Sequence, residues 1–267
     1  MSKISFRSQV AVVTGAGGGI GRAIAVLPAA RGAAVVVNNR TPAKADAVVA
    51  EIVAAGGAAV AQGEVVGDPG AGSRIAEAAL ETFGGIDILV NNAGVAAHAP
   101  LADTTEDDID WMVRVNVRGT IDVTRAIWRY MMARAYGRVL NVGSGASLGV
   151  ARSAVYAATK AHSIGFTNCV AVEGREAGIA VNAIFPMAAT NLTTGTLAYK
   201  EWMARNFPPE LVAVVTAYLV SRDCAVNGLT FHAGRQGGTA RDRGVPPRPV
   251  RSRPHAGAHP RSPLRAP

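Results

Sequence analysis

Short Val/Ile-rich runs alternate with Ala-rich segments of helical period along almost the whole chain, and no other feature narrows its fold as much. The strand candidates are residues 10–14, 34–38, 58–62, 86–90, 138–142, 180–184 and 229–232. Helical stretches begin between them near Gly19, Ala43, Gly70, Thr105, Ser153, Thr196 and Pro209. That order describes successive βαβ units, and it predicts a single α/β domain with a doubly wound, seven-stranded parallel sheet. Pro42 and Pro209 fit first-turn helix positions, where a missing N–H removes no bond.

The 267 residues are 49% apolar, 17% charged and 5% aromatic, with 30 Gly. This suits tightly packed helix-on-sheet layers and excludes a wholly disordered chain. A formal charge of +8 points toward nucleic acid until it is located. Residues 235–267 hold eight arginines against one aspartate, so +7 belongs there and only +1 to everything before. The body therefore has no basic face for nucleic acid. The same segment holds seven of the 14 prolines and only Val245, Val250 and Leu264 as large apolar residues. It is expected to be a disordered, solvated tail after a domain of residues 1–234. Cys169 and Cys224 have neither CxxC nor metal-ligand spacing and sit among apolar neighbours, so buried small hydrophobes in a reducing compartment are expected. No apolar run reaches the roughly 18 residues of a membrane span, and residues 10–13 are too short for a secretory signal. A soluble, cytoplasmic protein without a metal site is expected.

Four local patterns carry chemistry. After the first strand candidate, TGAGGGIGRAIA places Gly15, Gly19 and Gly21 at the start of a helix. Glycines there let the chain turn sharply and approach a pyrophosphate closely, while the helix N-terminus offers N–H groups and the positive end of its dipole. Alone, such a turn is equally a device for close helix packing. At the end of the fourth strand candidate, Asn91-Asn92-Ala93-Gly94 puts small polar residues where ligands lie in such sheets. The second strand candidate leads into Asn39 and Arg40. A carboxylate at position 39 would bind a ribose 2′-hydroxyl and repel a 2′-phosphate, whereas a neutral Asn does not repel, and Arg40 offers a planar fork of donors to a dianion. The competing reading is a solvated Arg40, since Gly18 adds no base inside the Gly turn. Finally, Tyr156 and Lys160 stand i,i+4 in SAVYAATKAHS, on one helix face. A phenol of pKa near 10 needs a nearby cation to act near neutrality. Lys160 is such a cation, and Ser144, after RVLNV, is placed to hold a carbonyl oxygen.

Together, TGxxxGxG at 14–21, NNAG at 91–94, Ser144 and YxxxK at 156–160 resemble the short-chain dehydrogenase/reductase family over roughly residues 5–234. The resemblance implies a Rossmann fold, a nicotinamide dinucleotide and interconversion of a secondary alcohol with a ketone. It implies Tyr156 as general acid/base, Lys160 lowering the tyrosine pKa and holding the nicotinamide ribose, Ser144 orienting substrate, and Asn116 of RVNVRG supporting a water relay to the lysine. Cofactor contacts are implied at Gly15, Gly19, Ile20, Gly21, Asn39, Arg40, Glu64, Val65, Asn91, Tyr156 and Lys160, with Glu64 standing where an Asp near the adenine is usual. NADP is the expected cofactor and NAD the second choice. Residues 208–234, with NAIFPMAAT before them, look like the (3R)-hydroxyacyl-CoA dehydrogenase branch. The short NNRTPAKADAVV segment is similar instead to 3-oxoacyl carrier-protein reductases. A 3-hydroxyacyl or 3-oxoacyl thioester is the implied substrate, in a homo-oligomer, dimer or tetramer.

Three departures stand against this pattern. Pro28 falls inside the helix after the Gly turn, where it costs about 3 kcal/mol if unrelieved. Met187 replaces the Gly of a Pro-Gly pair, where bulk would narrow the nicotinamide pocket. The segment after Gly234 replaces a short Gly-containing extension. They leave room for an alternative, a dinucleotide-binding relative with little catalysis.

Overall fold

The computed structural model describes residues 4–190 and 195–234. The expected disordered tail, 235–267, lies outside the described residues. Seven strands, β1 Val10–Val13, β2 Ala34–Asn38, β3 Ala58–Gln62, β4 Ile88–Asn91, β5 Gly137–Val142, β6 Ile179–Pro186 and β7 Thr230–Ala233, form one sheet in the order β3-β2-β1-β4-β5-β6-β7. Every neighbouring pair is parallel. The doubly wound sheet is as expected. Because the order runs outward from β1 on one side and from β4 on the other, the connections diverge between these two strands and open a crevice at their carboxyl ends.

The helices are α1 Gly19–Ala29, α2 Pro42–Ala54, α3 Ala71–Phe83, α4 Glu106–Met112, α5 Gly119–Arg134, α6 Ala154–Gly174, α7 Leu197–Asn206 and α8 Pro209–Leu219. They cover both sheet faces, so consecutive strand residues enter different cores. Ile88 and Leu140 pack with Ile24 of α1 and Val212 of α8, while their neighbours Leu89 and Val139 pack with Ile75 of α3 and Ile127 of α5. Pro42 and Pro209 occupy the first turns of α2 and α8. Thr105 caps α4 by accepting a hydrogen bond from the Asp108 N–H, 3.1 Å, and Glu106, Asp107 and Asp108 complement the helix dipole there. The stretch expected to be helical from Thr105 is interrupted by a π-helical turn over Val113–Arg118.

Two expectations fail. Pro28 disrupts little, because α1 ends at Ala29 and the proline sits buried in its last turn. Its carbonyl accepts from the Arg31 N–H at 2.9 Å and the Ala33 N–H at 3.0 Å, closing the helix. Cys224 is buried, but Cys169 is exposed. On α6 the buried positions are Thr159, Lys160, Ser163, Thr167, Val170, Ala171 and Gly174, so helical geometry turns Cys169 outward despite its apolar neighbours in sequence. Among the described residues no helix is long and apolar enough to cross a membrane.

Leu140 is fully buried at the centre of the sheet, whereas Val60 on the edge strand β3 is only partly so. Leu140→Ala should lower the urea unfolding free energy by about 2–5 kcal/mol with unchanged m-value, and Val60→Ala by clearly less.

Candidate active site

A cavity of about 610 Å³ occupies the crevice. Its near wall is the Gly turn between β1 and α1. Gly15 and Gly19 have φ of +63° and +52°, which glycine alone adopts readily. A Cβ on Gly15 would lie 2.8 Å from the Ala93 Cα, and one on Gly21 would run into the Gly15 carbonyl. At Gly18 a Cβ would meet nothing within 4 Å, so that stretch of backbone borders open space at the start of α1. This is the close, side-chain-free cradle that a pyrophosphate requires.

The turn is held from behind by groups the sequence did not reveal. Thr14 Oγ1 accepts from the Asn92 and Ala93 N–H groups at 3.1 and 3.0 Å, and Asn92 Nδ2 donates to the Thr14 and Gly15 carbonyls at 2.9 and 3.1 Å. Asn38, 1% exposed, accepts the Ala16 N–H on its carbonyl at 2.7 Å and donates from Nδ2 to Gln62 Oε1 at 2.7 Å and to the Glu64 carbonyl at 2.9 Å.

Of the expected contact residues, Gly15, Gly19, Ile20, Gly21, Asn39, Arg40, Glu64, Val65, Ser144 and Tyr156 line the cavity; Asn91, Asn116 and Lys160 do not. Asn91 is a correction. Its side chain is 4% exposed and donates to Thr124 Oγ1 and Asn141 Oδ1, both at 2.9 Å, because strand alternation turns it into the core. Its neighbours Asn92, Ala93 and Gly94 face the cavity instead. Glu64 has its carboxylate gripped by Arg74 through two 2.7 Å bonds, which hold its pKa below the usual carboxylate range.

At the far end of the crevice Asn39 Oδ1 accepts from the Thr41 N–H, 2.9 Å. The Arg40 guanidinium lies over the Trp111 ring, 6.0 Å from its centroid. Lys44, in the first turn of α2, also lines this end. Among the described residues neither cation is paired with a carboxylate.

The other end is built by β5, α6 and the π-helical turn. Ser144 caps the short turn Gly145–Leu148 by accepting from the Ala146 N–H, 3.1 Å, and Ser147 Oγ donates to the Ala157 carbonyl, 3.3 Å, fixing that turn against α6. Ser144 lies close enough to Tyr156 to favour its ionised form. Asn116, fully buried, takes the Val95 N–H on Oδ1 at 2.8 Å and donates from Nδ2 to the Val95 carbonyl at 2.9 Å and to Thr159 Oγ1 at 3.0 Å. Thr159 Oγ1 in turn donates to the Tyr156 carbonyl, 2.9 Å. Lys160, 5% exposed, stands beside Asn116: a Cβ on Gly94 would be 3.4 Å from Lys160 Nζ and 3.5 Å from Asn116 Oδ1.

Burial pushes the Tyr156 phenol above its ordinary value, and the nearby Ser144 hydroxyl opposes that rise. The lowering expected from Lys160 is not part of this balance. Burial also lowers the lysine itself, to about 8. Met187 lines the cavity, as expected, and is 54% exposed.

The chain matches the family model described as short chain dehydrogenase over residues 9–201. It is 39% identical over 243 residues to the Mus musculus peroxisomal multifunctional enzyme type 2, covering 87% of this chain and 32% of that one. It is 38% identical over 234 residues to a 3-oxoacyl-[acyl-carrier-protein] reductase of Synechocystis, covering 84% of this chain and 95% of that one. The chain thus spans about a third of the mouse relative's length and nearly all of the bacterial one. A crystallised short chain dehydrogenase from Mycobacterium avium superposes with a TM-score of 0.78 at 37% identity, over 87% of this chain and 84% of that one. The chain belongs to the short-chain dehydrogenase/reductase family. Members of that family are oxidoreductases that generally bind NAD or NADP.

The buried ammonium makes a stability prediction. A lysine pKa near 8 in the fold, against 10.5 for the unperturbed group, means that between these values the unfolded chain holds the proton and the folded one does not. The penalty is full below pH 8 and fades as pH rises toward 10.5. Lys160→Met should therefore stabilise the fold by about 1–3 kcal/mol at pH 7, a gain that chemical denaturation shows shrinking by pH 10.

Proposed function

We propose that the chain is an NADP(H)-preferring enzyme that interconverts a ketone and a secondary alcohol, with 3-oxoacyl or 3-hydroxyacyl thioesters as substrates. The observation that carries the reading is the convergence of the Ser144 and Tyr156 hydroxyls in one cavity with the Gly cradle, while Lys160 stands behind them. Hydride donation and acceptance is the chemistry that a bound nicotinamide supplies. The protein's own part is orientation and proton transfer. Ser144 Oγ holds the carbonyl oxygen, and Tyr156 Oη gives it a proton in reduction or removes one from the alcohol in oxidation. Lys160, behind this wall and one helical turn from Tyr156, would meet the ribose of a bound cofactor. Asn116 keeps the loop at Val95 and the helix at Thr159 in register, and so holds the lysine's surroundings fixed.

Since burial raises the Tyr156 pKa, the phenol is protonated at neutral pH. Carbonyl reduction should hold steady through neutrality and fall on the alkaline side, and alcohol oxidation should climb with pH; initial rates in both directions between pH 6 and 10 check this. Tyr156→Phe should reduce kcat by at least tenfold while leaving the cofactor Kd nearly unchanged, since only the proton-transfer oxygen is removed.

The NADP preference rests on Asn39, which repels no phosphate, and on Arg40, which has no carboxylate partner among the described residues. Removing a charged hydrogen bond costs roughly 1.5–3 kcal/mol, so Arg40→Ala should weaken NADPH binding by that amount and NADH binding little. Fluorescence titration of both cofactors decides it: a wild type that prefers NADH, or equal losses for both, defeats the assignment. The thioester substrate is supported by the names of the mouse and Synechocystis relatives. In this reading the catalytic unit is residues 1–234, the segment 235–267 takes no part, and the setting is cytoplasmic, although the mouse relative is peroxisomal by name. Val113, Ile121 and Met132, with Ile164 and Val172 of α6, are exposed large apolar residues, which favours a homo-oligomer that buries them against a second copy.

A further inference from the structure

We infer that His98, anchored by Ser153, is a specificity-determining residue that hydrogen-bonds a second carbonyl of the substrate, next to the one addressed by Ser144 and Tyr156. The inference rests on the carbonyl-reducing reading of this site and adds to it a residue that neither the sequence motifs nor that reading includes.

His98 lies on the loop after β4. Its Nδ1 is 3.0 Å from Ser153 Oγ, and its ring stands edge-on to Tyr156, with centroids 5.8 Å apart and planes at 66°. Ser153 is 3% exposed and immediately precedes α6, three residues before Tyr156. The imidazole is thus fixed on one side by a buried hydroxyl and on the other by the ring of the proton-transfer tyrosine. Both anchors belong to the start of one helix, so His98 keeps a constant position relative to Tyr156 even though it sits on a loop.

The exposed ring lines the same cavity as Ser144 and Tyr156. Nδ1 and Nε2 lie on opposite sides of an imidazole, so the bond to Ser153 leaves Nε2 directed away from it, and Nε2 has no hydrogen-bond partner among the described residues. The Ser153 proton has two acceptors within reach, His98 Nδ1 at 3.0 Å and the Ala151 carbonyl at 3.4 Å. When the proton goes to Nδ1, the shorter contact, hydrogen sits on Nε2, which then presents an N–H donor. Ala96, Ala146, Val150 and Met187, elsewhere on this wall, offer no polar side chain. Tyr199, Thr190 and Asn92 also line the cavity, but His98 is the polar side chain anchored against Tyr156 itself, where an oxygen next to the reacting carbonyl reaches it. This chemistry fits a 3-oxo ester or thioester and distinguishes it from a plain ketone of equal length.

Ethyl acetoacetate and 2-heptanone form a matched pair of probes, equal in chain length and differing by the ester. Their different intrinsic reactivities cancel when the ratio of kcat/KM for the two is compared between variants at saturating cofactor. His98→Ala should lower that ratio about tenfold, through KM for the ester. His98→Gln, which keeps a side-chain N–H, should restore part of it. Ser153→Ala should fall between wild type and His98→Ala, because Ser153 acts only by positioning the ring. Equal losses on both probes, or no loss, would overturn the inference and leave the carbonyl-reducing reading intact. If the wild type reduces neither probe, it is that reading which fails. The His98 13Cε1 NMR signal of the cofactor complex then decides the inference separately: a shift with ethyl acetoacetate and none with 2-heptanone supports it, and identical behaviour overturns it.

Discussion

The clasp between the carboxyl ends of β1 and β4 is the constraint on which the site depends. One hydroxyl, that of Thr14, and one amide, that of Asn92, bind the two strand ends through four hydrogen bonds. These strands are the neighbours from which the chain diverges, so the clasp closes the base of the crevice and leaves its mouth open. It also brings the Gly15 backbone so near Ala93 that no side chain fits between them. The side-chain-free Gly turn and the opposite wall of the cavity are therefore consequences of the same contact.

A second chain of bonds carries that order to the helix that bears Tyr156 and Lys160. The π-helical turn turns Asn116 inward, where it holds the backbone at Val95 and the Thr159 hydroxyl, and Thr159 holds the Tyr156 carbonyl. Every polar atom in this chain is satisfied by another member, which is the condition under which a buried network fixes one geometry. Lys160 is the exception, a charge kept in a dry place at a cost in stability, as functional groups often are.

The architecture was legible because strand and helix periods differ and because first-turn prolines and glycine turns punctuate them. Tyr156, Lys160, Ser144 and the Gly turn were legible as spacings. The rest depended on orientation, which spacing does not carry. Asn91 and Asn92 look interchangeable in NNAG, yet strand alternation buries the first and aims the second at the Gly turn. Cys169 sits beside Val170 in sequence, yet the turn of α6 exposes the first and buries the second. Pro28 looks disruptive until the end of α1 is located one residue later. His98 and Trp111 lie in no motif, and only the return of distant segments gives them partners.

Transfer of deuterium tests the central claim most directly. The protein is incubated with acetoacetyl-CoA and NADPH, then NADH, each carrying deuterium at nicotinamide C4, and the product is examined by mass spectrometry. A carbonyl reductase built on Ser144, Tyr156 and Lys160 predicts a 3-hydroxy product with one deuterium on the carbinol carbon, with either cofactor label stereochemistry but not both, and none from Tyr156→Phe. Unlabelled or absent product under conditions where cofactor and thioester both bind would contradict it.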